Sequence, residues 1–187
     1  MLELAVLGLL HETPMHGYEL RKQLHETLGS FRTLSWGTVY PTLRRLLNRG
    51  LIEESPQHGH TWNRRTKRVY QITTAGRERF TELVTDCQPQ SCDDKTFGVH
   101  VAFFSRTPAE TRLRILENRR RRVEERRERI RALLTRAGDR LDRYILELNR
   151  LRLKHSEQEV RWLNEFIEHE RAQLPTGADA QPNASGR

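Results

Sequence analysis

Val39, Leu43, Leu46 and Leu47 recur at i, i+4, i+7 and i+8, a spacing that gathers them on one buried stripe of an α-helix. The opposite face is of another kind. Gly37, Thr38, Pro41, Arg44, Arg45 and Asn48 lie there, small residues first, where a helix can approach another surface, and cations after them. Gly50 follows as a left-handed C-terminal glycine, and Leu51-Ile52 starts a strand. Upstream, apolar residues fill most positions from Leu2 to Leu10, which predicts a short helix buried on more than one side. Pro14 ends it, because proline disfavours helical geometry at the residue before it. A second helix spans about His16 to Leu28, with Tyr18, Leu20, Leu24 and Leu28 inward, Arg21, Lys22 and Glu26 outward, and Gly29 closing it. Only Ser30 to Ser35 separates it from the third. Two helices joined by so tight a turn are a helix-turn-helix. Pro41 leaves two starts open for the third helix. With Ser35 as cap, proline falls in the second turn; with Thr38 as cap it falls in the first, where its missing N–H costs nothing. Trp36 lies on the buried side of the wheel.

Ser55 to Thr66 is rich in Pro, Gly, His and Asn and reads as a loop, after which Arg68 to Thr73 alternates as a strand with Tyr70 and Ile72 on one face. The two strands make a hairpin. Thr74 caps a further helix reaching about Asp86, and Cys87 to Lys95, with Pro89, is a linker. Phe97 to Phe104 is an apolar run suited to burial between helices, with His100 as a core histidine. Thr107-Pro108-Ala109-Glu110 has the form of a capped helix start. Leu113, Leu116, Val123, Ile130, Leu134 and Ala137 then form a seam that Arg120 and Arg127 interrupt. Gly138-Asp139 breaks the pattern, and Leu141, Tyr144, Ile145, Leu148 and Leu151 restart it. At Ser156-Glu157-Gln158-Glu159 either a new helix starts or a long one is notched, and Val160, Leu163, Phe166 and Ile167 continue the apolar face, flanked by Trp162.

The expected fold is therefore mainly α: a winged helix-turn-helix N-terminal domain with a two-stranded β-wing, then a long-helix C-terminal dimerisation domain. Its boundaries are a DNA-binding domain over 1–86, a linker and apolar segment over 87–106, helices over 107–174 and a disordered tail over 175–187.

Charge sharpens this picture. The net charge is +8, which favours a polyanionic partner. No acid lies between Glu26 and Glu53, nor between Glu54 and Glu78, where Arg64, Arg65, Lys67, Arg68 and Arg77 stand among His58, His60 and Trp62. Such a loop can lie along a phosphate backbone or reach a minor groove. From Arg112 to Arg131 ten arginines face four glutamates, but in blocks that pair at i, i+3 and i, i+4, so this helix reads as a solvated charged surface. Cys87 and Cys92 are the only cysteines, too few for a disulfide framework or, with no suitable partners, a zinc site. MLELAVLGLLHE carries an acid, no basic leader and too short an apolar run for a membrane span, so a cytoplasmic location without a membrane is expected.

The segments MLELAVLGLL, PMHGYELRKQL, SWGTVYPTLRRLLNRGLIEE and VYQITTAGR, in this order and spacing, resemble the PadR family of bacterial transcriptional regulators. The resemblance implies that DNA is read through the helix beginning near Ser35, with Tyr40 a recurrent residue, and through the wing. It also implies a repressor that releases its operator when a small-molecule effector binds. The long C-terminal helices, with a tryptophan in the last, resemble the larger members of that family.

The expected partners are thus double-stranded operator DNA, a second copy of the chain and a small-molecule effector, with no cofactor or metal. Ser35 and Thr38 approach the duplex, Arg44 and Arg45 contact phosphates or guanines, and Arg64, Arg65, Lys67 and Arg68 hold the backbone. A pocket near Phe97, Phe103, Phe104 or Trp162 is the expected effector site, set against the plainer reading of these rings as core. Two other classes compete. A coiled-coil adaptor with a basic N-terminal module fits the same periodicities, whereas an enzyme lacks support, since no Ser/His/Asp set, Walker loop, dinucleotide fingerprint or metal cluster occurs.

Overall fold

The apolar stripes of the first and third helices form where local periodicity puts them. The computed structural model describes residues 1–28, 36–56, 68–86, 93–94, 96–137 and 142–174. It contains α1 (Leu2–Glu12), β1 (Met15–His16), α2 (Gly17–Leu28), α3 (Trp36–Asn48), β2 (Ile52–Pro56), β3 (Arg68–Ile72), α4 (Thr74–Thr85), α5 (Phe97–Ala102), a 3-10 turn (Phe104–Arg106), α6 (Ala109–Ala137) and α7 (Arg143–Ala172). The chain divides into two compact units, Met1–Thr111 and Arg112–Arg187.

In the first unit every residue of α1 from Leu4 to Leu10 is buried, so this helix is the axis on which the others pack. Leu20, Leu24 and Leu28 of α2, Val39, Leu43 and Leu46 of α3, and Phe80 and Val84 of α4 join it in one core. The sheet has the order β1-β3-β2, all antiparallel, with Ile52 opposite Ile72, Glu54 opposite Tyr70 and Pro56 opposite Arg68. The third strand is an addition to the expected two-stranded wing: Met15 pairs with Tyr70 and His16 with Val69. Two residues carry no periodicity of their own, so only the partner strand defines them.

The joint between α3 and β2 is closed by backbone geometry. Gly50 adopts φ +66°, its N–H donates to the Leu47 carbonyl at 2.9 Å, and the Leu51 N–H donates to the Leu46 carbonyl at 3.0 Å. This is the Schellman pattern, which satisfies two helix-terminal carbonyls at once. Thr73, rather than the expected Thr74, caps α4, its hydroxyl accepting from the Gly76 N–H at 3.1 Å. The same hydroxyl donates to the Gly50 carbonyl at 2.7 Å, so one side chain ties the start of α4 to the end of α3. Glu3 of α1 adds a second tie, accepting from Arg49 and from Arg79 at 3.0 Å each. Burial works against the Glu3 carboxylate, yet the hydrogen bond from Arg79 and the charge of Arg49 hold its pKa below the usual value.

The segment expected to lie between helices packs within the first unit. Val99 of α5 and Phe103 join its core, and the Phe103 ring stands edge-on to Phe80 at 5.8 Å. Gly8 makes room for it, since a Cβ there would meet the Phe103 ring at 2.3 Å. His100 is only 7% exposed, and its Nδ1, like that of His11, has no hydrogen-bond partner among the described residues. Burial pushes both imidazole pKa values down from 6.5; for His100 the Asp86 charge opposes this, and for His11 the charge of Arg77 adds to it. A histidine with a lowered folded pKa binds fewer protons folded than unfolded. Stability is therefore present above pH 6.5 and is lost as pH falls from there towards the folded pKa. Thermal unfolding should accordingly show a lower midpoint at pH 5.5 than at pH 7.5, and His100→Leu should shrink that difference. An unchanged difference in the variant would show that His100 is protonated without cost.

The second unit is an α6–α7 pair running antiparallel, as its cross-links require: Arg112 pairs with Glu170 at 2.7 Å, Arg126 with Glu159 at 2.8 Å and Arg131 with Glu157 at 2.7 Å. Its apolar centre is Ile115, Leu116, Val123, Val160, Leu163 and Ile167. The cation inside the seam is Arg119, 7% exposed and bonded to Glu159, whereas Arg120 and Arg127, expected there, are only partly covered. The helix phase set by Ile115 and Leu116 accounts for this, because Arg119 lies one turn beyond them on the same face. Ser156 starts no new helix. Its hydroxyl donates to the Arg152 carbonyl at 3.0 Å inside a continuous α7, the i−4 back-bond that a mid-helix serine makes.

Candidate nucleic-acid interface

Helix α3 is held from below by three apolar side chains. Val39, Leu43 and Leu46 are buried, and the Thr42 hydroxyl donates to the Thr38 carbonyl at 2.9 Å. With the inner face so fixed, Gly37, Thr38, Tyr40, Pro41, Arg44, Arg45 and Asn48 are all exposed. The helix begins at Trp36 and has Pro41 in its interior, which agrees with a start before Thr38 and removes the alternative in which Thr38 is the cap. Among the described residues no carboxylate pairs with Arg44 or Arg45. Arg49 by contrast is used internally, on Glu3.

Of the nine residues expected to meet DNA, Thr38, Tyr40, Arg44 and Arg45 share one exposed helix face. Ser35, Arg64, Arg65 and Lys67 lie outside the described residues. Arg68 is exposed but has a structural partner: its guanidinium donates to Glu54 at 2.6 Å across the β2–β3 pair, which raises its pKa. The neighbouring Gln71 amide donates to Glu53 in the same way.

Beside α3 lies an open cleft of about 530 Å³, lined by His16, Gly17, Tyr18, Glu19, Tyr40, Arg68 and Tyr70. Sequence reasoning missed it. Tyr18 was expected in the core and is 68% exposed; at 100° per residue it lies about 200° from Leu20, so the stripe Leu20, Leu24, Leu28 turns it outward. Tyr70 forms the floor, buried, and burial raises its pKa. Gly17 keeps the cleft tight, since a Cβ there would stand 3.3 Å from the Tyr70 ring and 3.9 Å from the Tyr40 hydroxyl.

The residues expected at an effector site fall in different units. Phe97, Phe103 and Phe104 are buried in the first. Trp162 belongs to the second, half exposed, with its ring 5.2 Å from that of Phe166. No helix among the described residues is long and apolar enough to cross a membrane.

Two short helices in tight succession, an exposed small-then-cationic face on the second and a β-wing beside it define a winged helix-turn-helix protein. Over residues 6–82 the chain matches the family model described as "Transcriptional regulator PadR-like family". It is 28% identical over 89 residues to the negative transcriptional regulator PadR of Bacillus subtilis, an alignment covering 48% of each protein. The chain thus spans about half the length of the curated relative it matches. Among solved structures it is similar to Bacillus subtilis PadR in complex with operator DNA, at 19% identity and a TM-score of 0.44, with 90% of this chain and 98% of that one covered. It is also similar to the putative transcriptional regulator TA0346 of Thermoplasma acidophilum, at 31% identity and a TM-score of 0.37, with 43% and 74% covered.

Proposed function

We propose that this chain is a cytoplasmic, sequence-specific regulator of transcription that binds double-stranded operator DNA as a homodimer and represses. The observation that carries the reading is the outer face of α3, where Thr38, Tyr40, Arg44 and Arg45 are exposed together over a rigid apolar inner face. Gly37 and Thr38 are small enough to let the helix start come close to base edges. Tyr40 and Arg44 stand one turn apart on the same side, so both reach into a major groove that the helix enters lengthwise. An arginine there reads guanine through paired hydrogen bonds, whereas Arg45 and the wing cations Arg64, Arg65, Lys67 and Arg68 neutralise phosphates. For Arg68 this means exchanging or sharing its bond to Glu54, and an exposed pair of this kind is weak enough to allow it.

Helices α6 and α7, over 107–174, form the dimer contact in this reading, with 1–86 as the DNA-binding domain. Two-fold symmetry then makes the operator an inverted repeat, with half-sites roughly 34–36 Å apart. The sign of control follows the curated relative, a negative regulator. A small-molecule effector that releases DNA completes the proposal, and the family relationship is its support.

Sequencing the genomic fragments that the purified chain retains should yield an inverted repeat, and a single asymmetric half-site would refute the dimer geometry. On that operator, Arg44→Ala should cost about 1–3 kcal/mol and relax the preference at one base pair per half-site. An equal loss on every sequence would make Arg44 a phosphate contact.

A further inference from the structure

Tyr18 is a large aromatic residue left in solvent on the DNA-facing unit, and the packing of its own helix does not use it. It is also the one side chain common to two concavities. The first is the cleft already described, where it stands with Tyr40 and Arg68. The second, about 220 Å³, runs along α2 between Tyr18, Arg21, Lys22, His25 and Glu26. Tyr40 belongs to the outer face of α3, and the position of its hydroxyl beside Gly17 places the tip of that face next to the first turn of α2. A surface therefore continues from Tyr40 over Tyr18 to Arg21 and Lys22.

We propose that this surface carries the sugar-phosphate backbone of the bound duplex, with the Tyr18 hydroxyl donating to a phosphate and Arg21 and Lys22 neutralising the phosphates beyond it. The inference rests on the DNA-binding reading above and deepens it by assigning Tyr18, Arg21 and Lys22.

Charge and chemistry favour this occupant. Among the described residues Lys22 pairs with Glu26, one turn along the helix at 3.8 Å with both side chains well exposed, and such a pair is easily exchanged for a phosphate. Glu19 accepts from the His16 N–H at 3.1 Å, so a carboxylate already takes the backbone donor just before α2. Beside that carboxylate, Tyr18 offers an exposed neutral side-chain donor in the same cleft. A phenol also suits a backbone track, because it offers a hydrogen bond to phosphate and a flat face to the sugar while reading no base. The first helix of a helix-turn-helix crosses the backbone while the second enters the groove, and on α2 the exposed Tyr18 and Lys22, with the partly covered Arg21 between them, lie where that crossing can be made.

The test uses the full chain and its selected operator, with a scrambled duplex beside it, followed by fluorescence anisotropy across a salt series. Tyr18→Phe keeps the ring and removes the donor, and it should weaken both duplexes about three- to tenfold with the same salt slope, as loss of one neutral hydrogen bond requires. Tyr18→Ala should weaken both at least as much. The Arg21→Ala/Lys22→Ala double variant should flatten the plot of log affinity against log salt by about two, one counterion per phosphate released. Melting temperatures close to the parent's separate these effects from misfolding, and Lys22→Ala alone, at an exposed position, should flatten the slope by about one. Parental affinity in both Tyr18 variants, or an unchanged slope in the double variant, overturns the assignment. A loss confined to one base pair overturns it too, since Tyr18 would then be reading sequence. If the parent chain itself binds no duplex, the DNA-binding reading fails instead, so the two failures are distinguishable.

Discussion

In the proposed homodimer, replacing Leu148 and Leu151 with aspartate will leave the chain helical but monomeric and will weaken operator binding by about a hundredfold or more. The first half of α7 carries an exposed apolar stripe. Tyr144, Ile145, Leu148 and Leu151 are all exposed there, Tyr144 at 80%, and their steps of three and four residues place them along one side of the helix. Asn149 is the buried residue of that stretch, so α7 meets its own unit through an amide while its apolar stripe faces outward. The α6 side gives little compensation, because the pair is held at its sides by arginine–glutamate bonds and has Arg119 inside its seam. A buried ion pair of this sort fixes register more than it adds stability.

A second copy covering the stripe removes four such side chains from water on each chain. A side chain fully buried contributes about 1.5–3 kcal/mol, so eight that are half-exposed or more contribute on the order of 10 kcal/mol, comparable with an association cost of about 4–15 kcal/mol. Two aspartates per chain at the centre of that contact reverse the balance. Losing the dimer also loses the second recognition helix, and tethering two binding modules is worth roughly 10²–10⁴ in affinity. Analytical ultracentrifugation and anisotropy on the same samples check both statements. A variant that stays dimeric at micromolar concentration would move the contact away from this stripe.

The second large effect concerns stability. Gly76→Ala will lower the melting temperature by about 10 °C or more, because the added Cβ has nowhere to go. It would stand 2.0 Å from the Leu51 carbonyl oxygen and 2.7 Å from Cγ1 of Ile72. The first of these is backbone, in the turn that joins α3 to β2, and that turn is fixed three times over. The Leu51 N–H is bonded to Leu46, the Leu51 carbonyl accepts from the Thr73 N–H at 3.2 Å, and the Thr73 hydroxyl holds Gly50.

Relief therefore means moving the start of α4 away from the end of α3 and breaking some of these bonds. Overpacking typically costs about 1–3 kcal/mol and each lost hydrogen bond about 1 kcal/mol more, which for a unit of this size is several degrees per kcal/mol. Gly8→Ala is the instructive contrast. The atoms nearest its Cβ belong to the ring of Phe103, a side chain rather than backbone, so its melting temperature should fall less. Circular dichroism melts of the two variants decide the order, and equal or reversed losses would show that the α3–β2 turn yields more readily than the core. DNA binding should suffer in Gly76→Ala even below its melting point, since Thr73, Gly50 and Leu51 set the angle between α3 and the wing.

These two positions also show where reading the chain succeeds and where it stops. The stripe Val39, Leu43, Leu46 could be taken from spacing alone, and with it the whole outward face from Thr38 to Arg45, because a helix held on one side leaves no freedom on the other. Gly50 was legible for the same kind of reason, as a left-handed residue is a local requirement of a helix end. The all-round burial of α1 followed from its nearly unbroken apolar run.

Other features needed the folded chain. Met15–His16 is a strand because Val69 and Tyr70 are beside it, and Thr73 caps α4 in preference to Thr74 because its hydroxyl also finds Gly50. Phe97 to Phe104 read as an apolar segment after a linker, yet Gly8 on α1 holds the recess that takes Phe103 into the first unit's core. Arg119 replaces Arg120 and Arg127 as the seam cation because the phase of α6 follows its contact with α7 rather than a regular heptad count. The cleft around Tyr18 joins residues from β1, α2, α3 and β3 that are up to 54 positions apart, and no window along the chain contains them together.

What the sequence determined by itself was the buried faces of α1 and α3, and hence the cationic face of α3, since side-chain direction in a helix is a local property of 3.6-residue geometry. What only the tertiary structure decided was which elements share a core and which exposed side chains become neighbours. Those depend on close packing between distant segments, where the absence of one Cβ at Gly8, Gly17 or Gly76 sets how near two surfaces can come.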